Sequence, residues 1–99
     1  MVMAVTHAKA AVAALQRFAP DVVVADMRLP DESGTWVLQQ ARALRNTAPF
    51  IAVSAFDLDE RTLREAGFHA CLRKPVEHAD LVEAILRAAP ARWCEGSGR

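Results

Sequence analysis

The sequence predicts an α/β domain in which a parallel β-sheet carries helices on both faces. Short apolar runs rich in β-formers alternate with segments of helical period, in the order β-α-β-α-β-α-β-α. These runs lack the strict polar–apolar alternation of half-exposed strands, which is typical of strands covered on both faces. The chain of 99 residues, 53% of them hydrophobic, is long enough for one compact domain with one core.

Four runs are predicted to form the strands. VMAV at 2–5 is the weakest of them, and VVVAD at 22–26, FIAVS at 50–54 and ACLRK at 70–74 follow. Together with the helices between them, they predict a domain over residues 1–89. The remaining residues, 90–99, are predicted to be a flexible C-terminal tail.

The first two intervening segments have the spacing of amphipathic helices. In AKAAVAALQRF (8–18) an apolar residue recurs every three positions, and Thr6 upstream is a candidate N-cap. GTWVLQQARAL (34–44) places Val37, Leu38, Ala41 and Leu44 on one face.

The last two helices are predicted from their ends and from an apolar stripe. Asp57 and Glu60 have the spacing of a capping box, and Gly67 stands where a helix ends in the left-handed conformation. A fourth helix carries the stripe Leu81, Val82, Ile85 and Leu86 and ends before Pro90.

Composition narrows the classes of partner. Twelve basic and twelve acidic residues cancel, so the overall charge does not indicate binding to nucleic acid or to an anionic membrane, and a protein partner is expected. No apolar run approaches the roughly 18 residues of a membrane span. Cys71 and Cys94 lack metal-ligand spacing and are expected to be reduced thiols, which favours a cytoplasmic protein.

Three strand ends carry side chains that could act together. Asp26, Ser54 and Lys74 each lie at the end of a predicted strand. In parallel sheets the strand carboxyl ends meet at the edge where ligands bind. A carboxylate can accept a phosphoryl group, a hydroxyl can donate to its oxygens, and an ammonium can neutralise its charge. The three residues therefore predict a phosphoryl-transfer site.

On these residues the chain resembles the receiver domain of two-component response regulators. The similarity covers about residues 2 to 88 and rests on PDVVVADMRLPDESG, AVSAF and CLRKP. It implies a flavodoxin-like doubly wound sheet, with a histidine kinase or a phosphotransfer protein as partner. It also implies that Asp26 is the phosphoacceptor, Ser54 the switch hydroxyl and Lys74 the phosphate-sensing lysine. The Lys74–Pro75 bond is then expected to be cis.

Two departures from the family pattern concern activation. The family holds Mg²⁺ with the acceptor Asp and an acidic pair on a first strand, but only Asp21 is acidic before Asp26. Mg²⁺ is thus implied by the resemblance, with Asp26 as one ligand of an incomplete set, and its binding here is doubtful. Cys71 replaces the usual switch aromatic, so the aromatic readout is expected to be degenerate.

The resemblance also implies an N-terminally truncated fold. VMAV aligns with the family's second strand, so the first strand and first helix have no counterpart here. In the order 2-1-3-4-5 the first strand is central, and its loss predicts an exposed edge at 22–26. Direct pairing of 2–5 with 22–26 is expected to be strained. A homodimer with residues 1–26 in the interface is therefore predicted.

Two functions remain open. One is a signalling receiver that accepts phosphate on Asp26, with impaired efficiency. The other is a degenerate receiver that acts as a phosphorylation-independent interaction or dimerisation module. A small Rossmann-like enzyme is disfavoured because no glycine-rich nucleotide-binding motif occurs, and the chain is expected not to be an enzyme.

Overall fold

The computed structural model describes residues 1–55 and 59–89 of the chain. The elements alternate as predicted: β1 (Val2–Val5), α1 (Ala8–Leu15), β2 (Val22–Asp26), α2 (Gly34–Ala43), β3 (Phe50–Ser54), α3 (Glu60–Ala66), β4 (Ala70–Arg73) and α4 (His78–Ala88). Their order confirms the β-α-β-α-β-α-β-α reading. The predicted tail at 90–99 lies outside the described residues.

All four strands are parallel and lie in the order β1-β2-β3-β4. β1 pairs directly with β2, from Val2 opposite Val22 to Val5 opposite Ala25. The expectation that this pairing would be too strained is wrong. The connection over residues 6–21 is long enough for a helical crossover between neighbouring parallel strands. As a result β2 is an interior strand, and its predicted exposed edge does not exist.

The larger core lies between the sheet and the layer of α1, α2 and α3. β1, β2 and β3, the three helices and two connecting segments contribute its buried side chains. These are Val5, Ala8, Ala11, Leu15, Val23, Ala25, Val37, Leu38, Ala41, Ala48, Phe50, Ala52, Leu63 and Phe68. The rings of Phe50 and Phe68 meet edge to face at 6.2 Å. This layer fixes the sheet and, with it, the strand ends.

A smaller core lies under α4 on the other face. Val22, Ile51 and Ala84 are its buried residues, and Leu72 and Ile85 pack against them. Helices thus cover both faces of the parallel sheet, as the apolar strands predicted. Of the helices in residues 1–55 and 59–89, three lie on one face and α4 lies on the other.

Helix ends differ from the predictions in three places. α1 ends at Leu15 rather than Phe18. Its N-cap is His7, not Thr6, and the His7 side chain makes no capping hydrogen bond. Asp57 lies outside the described residues, and the N-cap of α3 is Asp59, whose carboxylate accepts from the Arg61 amide and the Thr62 hydroxyl.

Gly67 ends α3 in the left-handed conformation, with φ of 113°, as its position in the sequence predicted. None of the helices in the described ranges is long and apolar enough to cross a membrane.

Candidate functional site

The three predicted site residues meet at the carboxyl edge of the sheet. Asp26 is the last residue of β2, Ser54 the last of β3, and Lys74 directly follows β4. The Lys74 amide donates to the Ser54 carbonyl at 2.7 Å, and the Met27 amide donates to the Val53 carbonyl at 2.9 Å. These bonds continue the strand pairing past the strand ends, so the backbone holds the three residues at one edge. The Lys74–Pro75 peptide bond is cis, as the resemblance implied.

Asp26 and Lys74 form an ion pair at this edge. The Lys74 ammonium donates to Oδ2 of Asp26, and the Arg28 amide donates to Oδ1 at 3.0 Å. Desolvation raises the pKa of Asp26, but the hydrogen bonds from Lys74 and Arg28, together with the Lys74 charge, outweigh it and hold the pKa below its ordinary value. Asp26 is therefore an ionised, partly exposed carboxylate at neutral pH.

Ser54 differs from its two neighbours in burial. Its side chain is buried, whereas those of Asp26 and Lys74 are partly exposed. In the strand register Asp26 lies opposite Val53, so Ser54 stands one residue beyond the partner of Asp26. Ser54 is thus the buried member of the three strand-end residues.

The loop after Asp26 folds back on itself. Arg28 and Ser33 form an antiparallel bridge, and the Leu29 amide donates to the Glu32 carbonyl at 3.1 Å. Gly34 closes the loop against β2. A Cβ at this position would lie 2.7 Å from the Asp26 carbonyl oxygen. A side chain at Gly34 would therefore displace the backbone of the candidate acceptor.

Asp31 is a structural contributor that the sequence analysis missed. Its Oδ1 accepts from the Ala8 amide at 2.9 Å, and its Oδ2 accepts from the Lys9 amide at 3.0 Å. The bonds from Lys9 and Ala8 lower the pKa of Asp31. Asp31 thus caps α1 from the acceptor loop, a role that its neighbours in the chain do not indicate because the contact spans more than twenty residues.

The carboxylates near this edge do not form a ligand set that suits Mg²⁺. Asp26 is paired with Lys74, and both oxygens of Asp31 accept amides of α1. Within residues 1–55 and 59–89, no group of three or more His, Cys, Asp and Glu side chains is placed to hold a metal ion. Mg²⁺ requires several oxygen ligands in near-octahedral geometry, which one paired carboxylate does not provide.

Cys71, which the resemblance predicts to be a degenerate aromatic switch, lies on β4. It is partly buried and packs against the larger core. Burial raises the pKa of its thiol, and the charge of Glu60 raises it further. Cys71 is therefore a packing residue with a protonated thiol at neutral pH.

A comparison with known families decides the class of the domain. The family model of the response regulator receiver domain matches residues 1–86 of the chain. The chain belongs to this family. Its Asp26–Lys74 pair and cis Lys74–Pro75 bond thus lie in a receiver domain of two-component signalling, and the resemblance seen in the sequence is confirmed.

Two characterised relatives illustrate the similarity. The chain is 37% identical over 83 residues to the sensory transduction protein RegX3 of Mycobacterium tuberculosis (strain ATCC 25618 / H37Rv), covering 82% of this chain and 36% of RegX3. It is 37% identical over 71 residues to the polar-differentiation response regulator DivK of Brucella abortus (strain 2308), covering 67% of this chain and 57% of DivK. The receiver therefore spans about a third of RegX3 and little more than half of DivK.

Solved receiver domains have the same fold. The receiver domain of the sensor histidine kinase PA1611 from Pseudomonas aeruginosa PAO1 gives a TM-score of 0.74 at 30% identity, covering 85% of this chain and 72% of that one. A receiver domain from Methylobacillus flagellatus gives 0.70 at 37% identity, covering 84% and 71%. These similarities confirm the flavodoxin-like fold. The PA1611 domain has a magnesium ion in its active-site cleft, which supports Mg²⁺ as a cofactor of the family.

Proposed function

We propose that this receiver domain accepts a phosphoryl group on Asp26 from a histidine kinase or a phosphotransfer protein, at low efficiency. The observation that carries the proposal is the partly exposed Asp26 carboxylate paired with Lys74 at the strand ends. In the transfer, the phosphorus–nitrogen bond of a phosphohistidine breaks as a phosphorus–oxygen bond to Asp26 forms. The released imidazole nitrogen takes up a proton.

Lys74 and Ser54 have complementary roles in this proposal. The Lys74 ammonium, which donates to the Asp26 carboxylate in this structure, neutralises the negative charge of the phosphoryl oxygens at the strand ends. The Ser54 hydroxyl donates to a phosphoryl oxygen. Low efficiency follows from the poor fit to Mg²⁺, because a divalent ion normally supplies several kcal/mol of charge stabilisation in such transfers.

A second candidate function is that of a phosphorylation-independent interaction module. It is favoured because two carboxylates near the site already have protein partners. Asp26 is paired with Lys74, and Asp31 accepts a backbone amide of α1. In both cases the partner is a protein rather than a nucleic acid, as the balanced charge suggests, and the domain is not itself an enzyme. For either function we also propose a cytoplasmic location, which the reduced cysteines favour, and self-association as a homodimer.

Intact-mass spectrometry with acetyl phosphate tests these alternatives. We expect slow modification that is little changed by Mg²⁺ and is abolished by Asp26→Asn, because the acceptor is present but its metal ligands are incomplete. Asp80→Asn, an exposed carboxylate on α4, is the matched control and should label like the parent.

The other outcomes separate the two functions. Rapid, Mg²⁺-dependent modification lost in Asp26→Asn would contradict the low efficiency and indicate an ordinary receiver. No modification at any Mg²⁺ concentration, and no mass increase with beryllium fluoride, would favour the interaction module.

A further inference from the structure

A cavity lies at the amino edge of the sheet, opposite to the edge that carries Asp26, Ser54 and Lys74. Its volume is about 510 Å³, and residues 15–21 and 44–49 line it. These two stretches contain the ends of α1 and α2 and the segments that lead into β2 and β3. A ligand bound in this cavity, here called the basic cavity, therefore leaves the phosphoryl-transfer site accessible.

Two arginines of the basic cavity have no ionic partner. Arg17 and Arg45 line it, and both are exposed. Within residues 1–55 and 59–89, neither guanidinium takes part in an ion pair or a hydrogen bond. Asp21 is the acidic residue among those that line the cavity, so the lining side chains carry a net positive charge. The basic cavity therefore attracts a negatively charged group.

Arg45 has a strained backbone conformation. Its φ is 62°, and among the described residues other than glycine it is the one with a positive φ. The Asn46 amide donates to the Ala41 carbonyl at 2.9 Å, and the Arg45 amide donates to the Arg42 carbonyl at 3.0 Å. This pair of bonds ends a helix in a Schellman motif, whose left-handed position favours glycine because a Cβ is crowded there. α3 ends with the equivalent pair of bonds, and there the position is occupied by Gly67.

The end of α2 does not require an arginine at position 45. A basic side chain in the last turn interacts favourably with the helix C-terminus, and Arg42 already provides one. The Arg42 guanidinium also donates to the carbonyls of Asn46 and Ala48 at 2.9 and 3.0 Å, so the segment after α2 is held in place without Arg45. Backbone strain of this kind clusters at sites that hold ligands. The strain at Arg45 therefore indicates a use for its side chain outside the fold.

Exposed apolar side chains lie beside the two arginines in the chain. Phe18 follows Arg17 and is 54% exposed, and Leu44 precedes Arg45 and is 41% exposed. All four residues line the basic cavity. Arginine and aromatic residues are enriched where proteins bind each other, and they carry much of the binding energy. An occupant that matches this surface offers carboxylates and an apolar side chain together.

We propose that the basic cavity binds an acidic segment of a partner protein. Carboxylates of the segment pair with Arg17 and Arg45, and an apolar side chain of the segment contacts Phe18 and Leu44. Charge complementarity favours this occupant over a second copy, in which glutamates of α3 and α4 are already paired with arginines of their own helices. Binding of the segment does not depend on phosphoryl transfer at the opposite edge.

Selection from a random-peptide phage library on the immobilised full chain tests the class of partner. We expect the enriched peptides to carry several Asp or Glu residues next to an apolar one. Fluorescence anisotropy then gives the dissociation constant of a labelled enriched peptide. It should rise at least about tenfold in Arg45→Gly and in Arg17→Ser, because each variant removes a charge-assisted contact. Arg61→Ser removes an exposed arginine of α3 and is the matched control, which should bind the peptide like the parent.

Arg45→Gly also separates a ligand-binding role from a structural one. The variant relieves the backbone strain, so its midpoint of urea unfolding should rise while its affinity for the peptide falls. An arginine retained for stability would give a lower midpoint. Phe18→Ser should weaken peptide binding as well, because Phe18 is exposed and supplies an apolar contact. Asp26→Asn should bind the peptide like the parent, so a failure of phosphoryl transfer and a failure of peptide binding are distinguishable.

Several results would overturn the proposal. One is the absence of enriched peptides, or a set of enriched peptides without acidic residues. Others are an unchanged affinity in Arg45→Gly or Phe18→Ser, a lower urea midpoint in Arg45→Gly, and equal weakening by Arg61→Ser or by Asp26→Asn. Inorganic phosphate that binds as tightly as the peptide would assign the cavity to a small anion instead. Self-association of the parent that is lost in Arg45→Gly, measured by light scattering, would assign it to a second copy.

Discussion

At the scale of single residues, the site depends on one carboxylate whose charge is held by its neighbours. Asp26 accepts from Lys74 and from the Arg28 amide, and these bonds outweigh the desolvation that would otherwise raise its pKa. The pair is partly exposed, so water screens it and its contribution to stability is small, about 0.2–1 kcal/mol. Its importance is that the acceptor is ionised, oriented and accessible.

Lys74→Met should raise the pKa of Asp26 toward the ordinary value of about 3.9. Because the folded pKa of Asp26 is depressed, the stability that this pair contributes is present above the unfolded pKa and is lost as pH falls through the folded one. The parent should therefore be slightly more stable than Lys74→Met at neutral pH, and the gap should close in acid. NMR titration of Asp26 measures the pKa shift, and urea unfolding at neutral and at acidic pH measures the difference in stability.

Lys9→Met removes the other lysine of the chain and serves as the control. It should leave the titration of Asp26 unchanged. An equal shift in both variants would show that the Asp26 pKa responds to overall charge rather than to the ion pair.

The residues of the site were predictable to different degrees. Asp26, Ser54 and Lys74 were found because strand ends and a family pattern coincide on them. Asp31 was not, because its partners are backbone amides that any sequence offers, and only the folded loop brings them within reach.

At the scale of elements, α1 is the helix with the least local support. It has eight residues, its N-cap side chain makes no capping bond, and its first turn has no acidic residue. The carboxylate of Asp31 supplies both missing contributions, a hydrogen-bond acceptor and a negative charge at the helix N-terminus. The acceptor loop and α1 therefore stabilise each other.

Asp31→Ala should lower the free energy of unfolding and increase hydrogen exchange in the first turn of α1. Asp31→Asn should have a smaller effect, because an amide oxygen can still accept one bond. The pKa of Asp31 is lowered by the Lys9 and Ala8 bonds, so the difference from Asp31→Ala should be present at neutral pH and lost in acid. Glu32→Ala, the exposed neighbour, should match the parent, and an equal loss in both variants would contradict the capping role.

Helix ends were harder to predict than helices. The apolar period located α1 correctly but extended it to Phe18, which is exposed and lies beyond the last helical turn. For α3, Gly67 was assigned correctly because only its backbone conformation mattered. The cap was assigned to Asp57 because Glu60 stands three residues later, but the N-cap is Asp59, which directly precedes α3.

At the scale of the whole molecule, the alternation of elements was predictable, but the direct pairing of β1 with β2 was not. Apolar runs separated by helical segments are sufficient for a parallel sheet with helices on both faces. The strand order agrees with the family order 2-1-3-4-5 without its first strand, but the expected exposed edge at 22–26 was wrong, because β1 lies against β2. Of the helices in the described residues, three pack on one face of the sheet and α4 packs on the other.

Native-state hydrogen exchange of β2 tests the direct β1–β2 pairing. Successive amides of a strand point to opposite neighbours, so an interior strand protects consecutive amides and an edge strand protects alternate ones. We expect slow exchange at consecutive positions from Val22 to Ala25, with opening energies near the global value, and an alternating pattern along β1. If only alternate amides of β2 exchange slowly, β2 is an edge strand and the strand order described here is wrong.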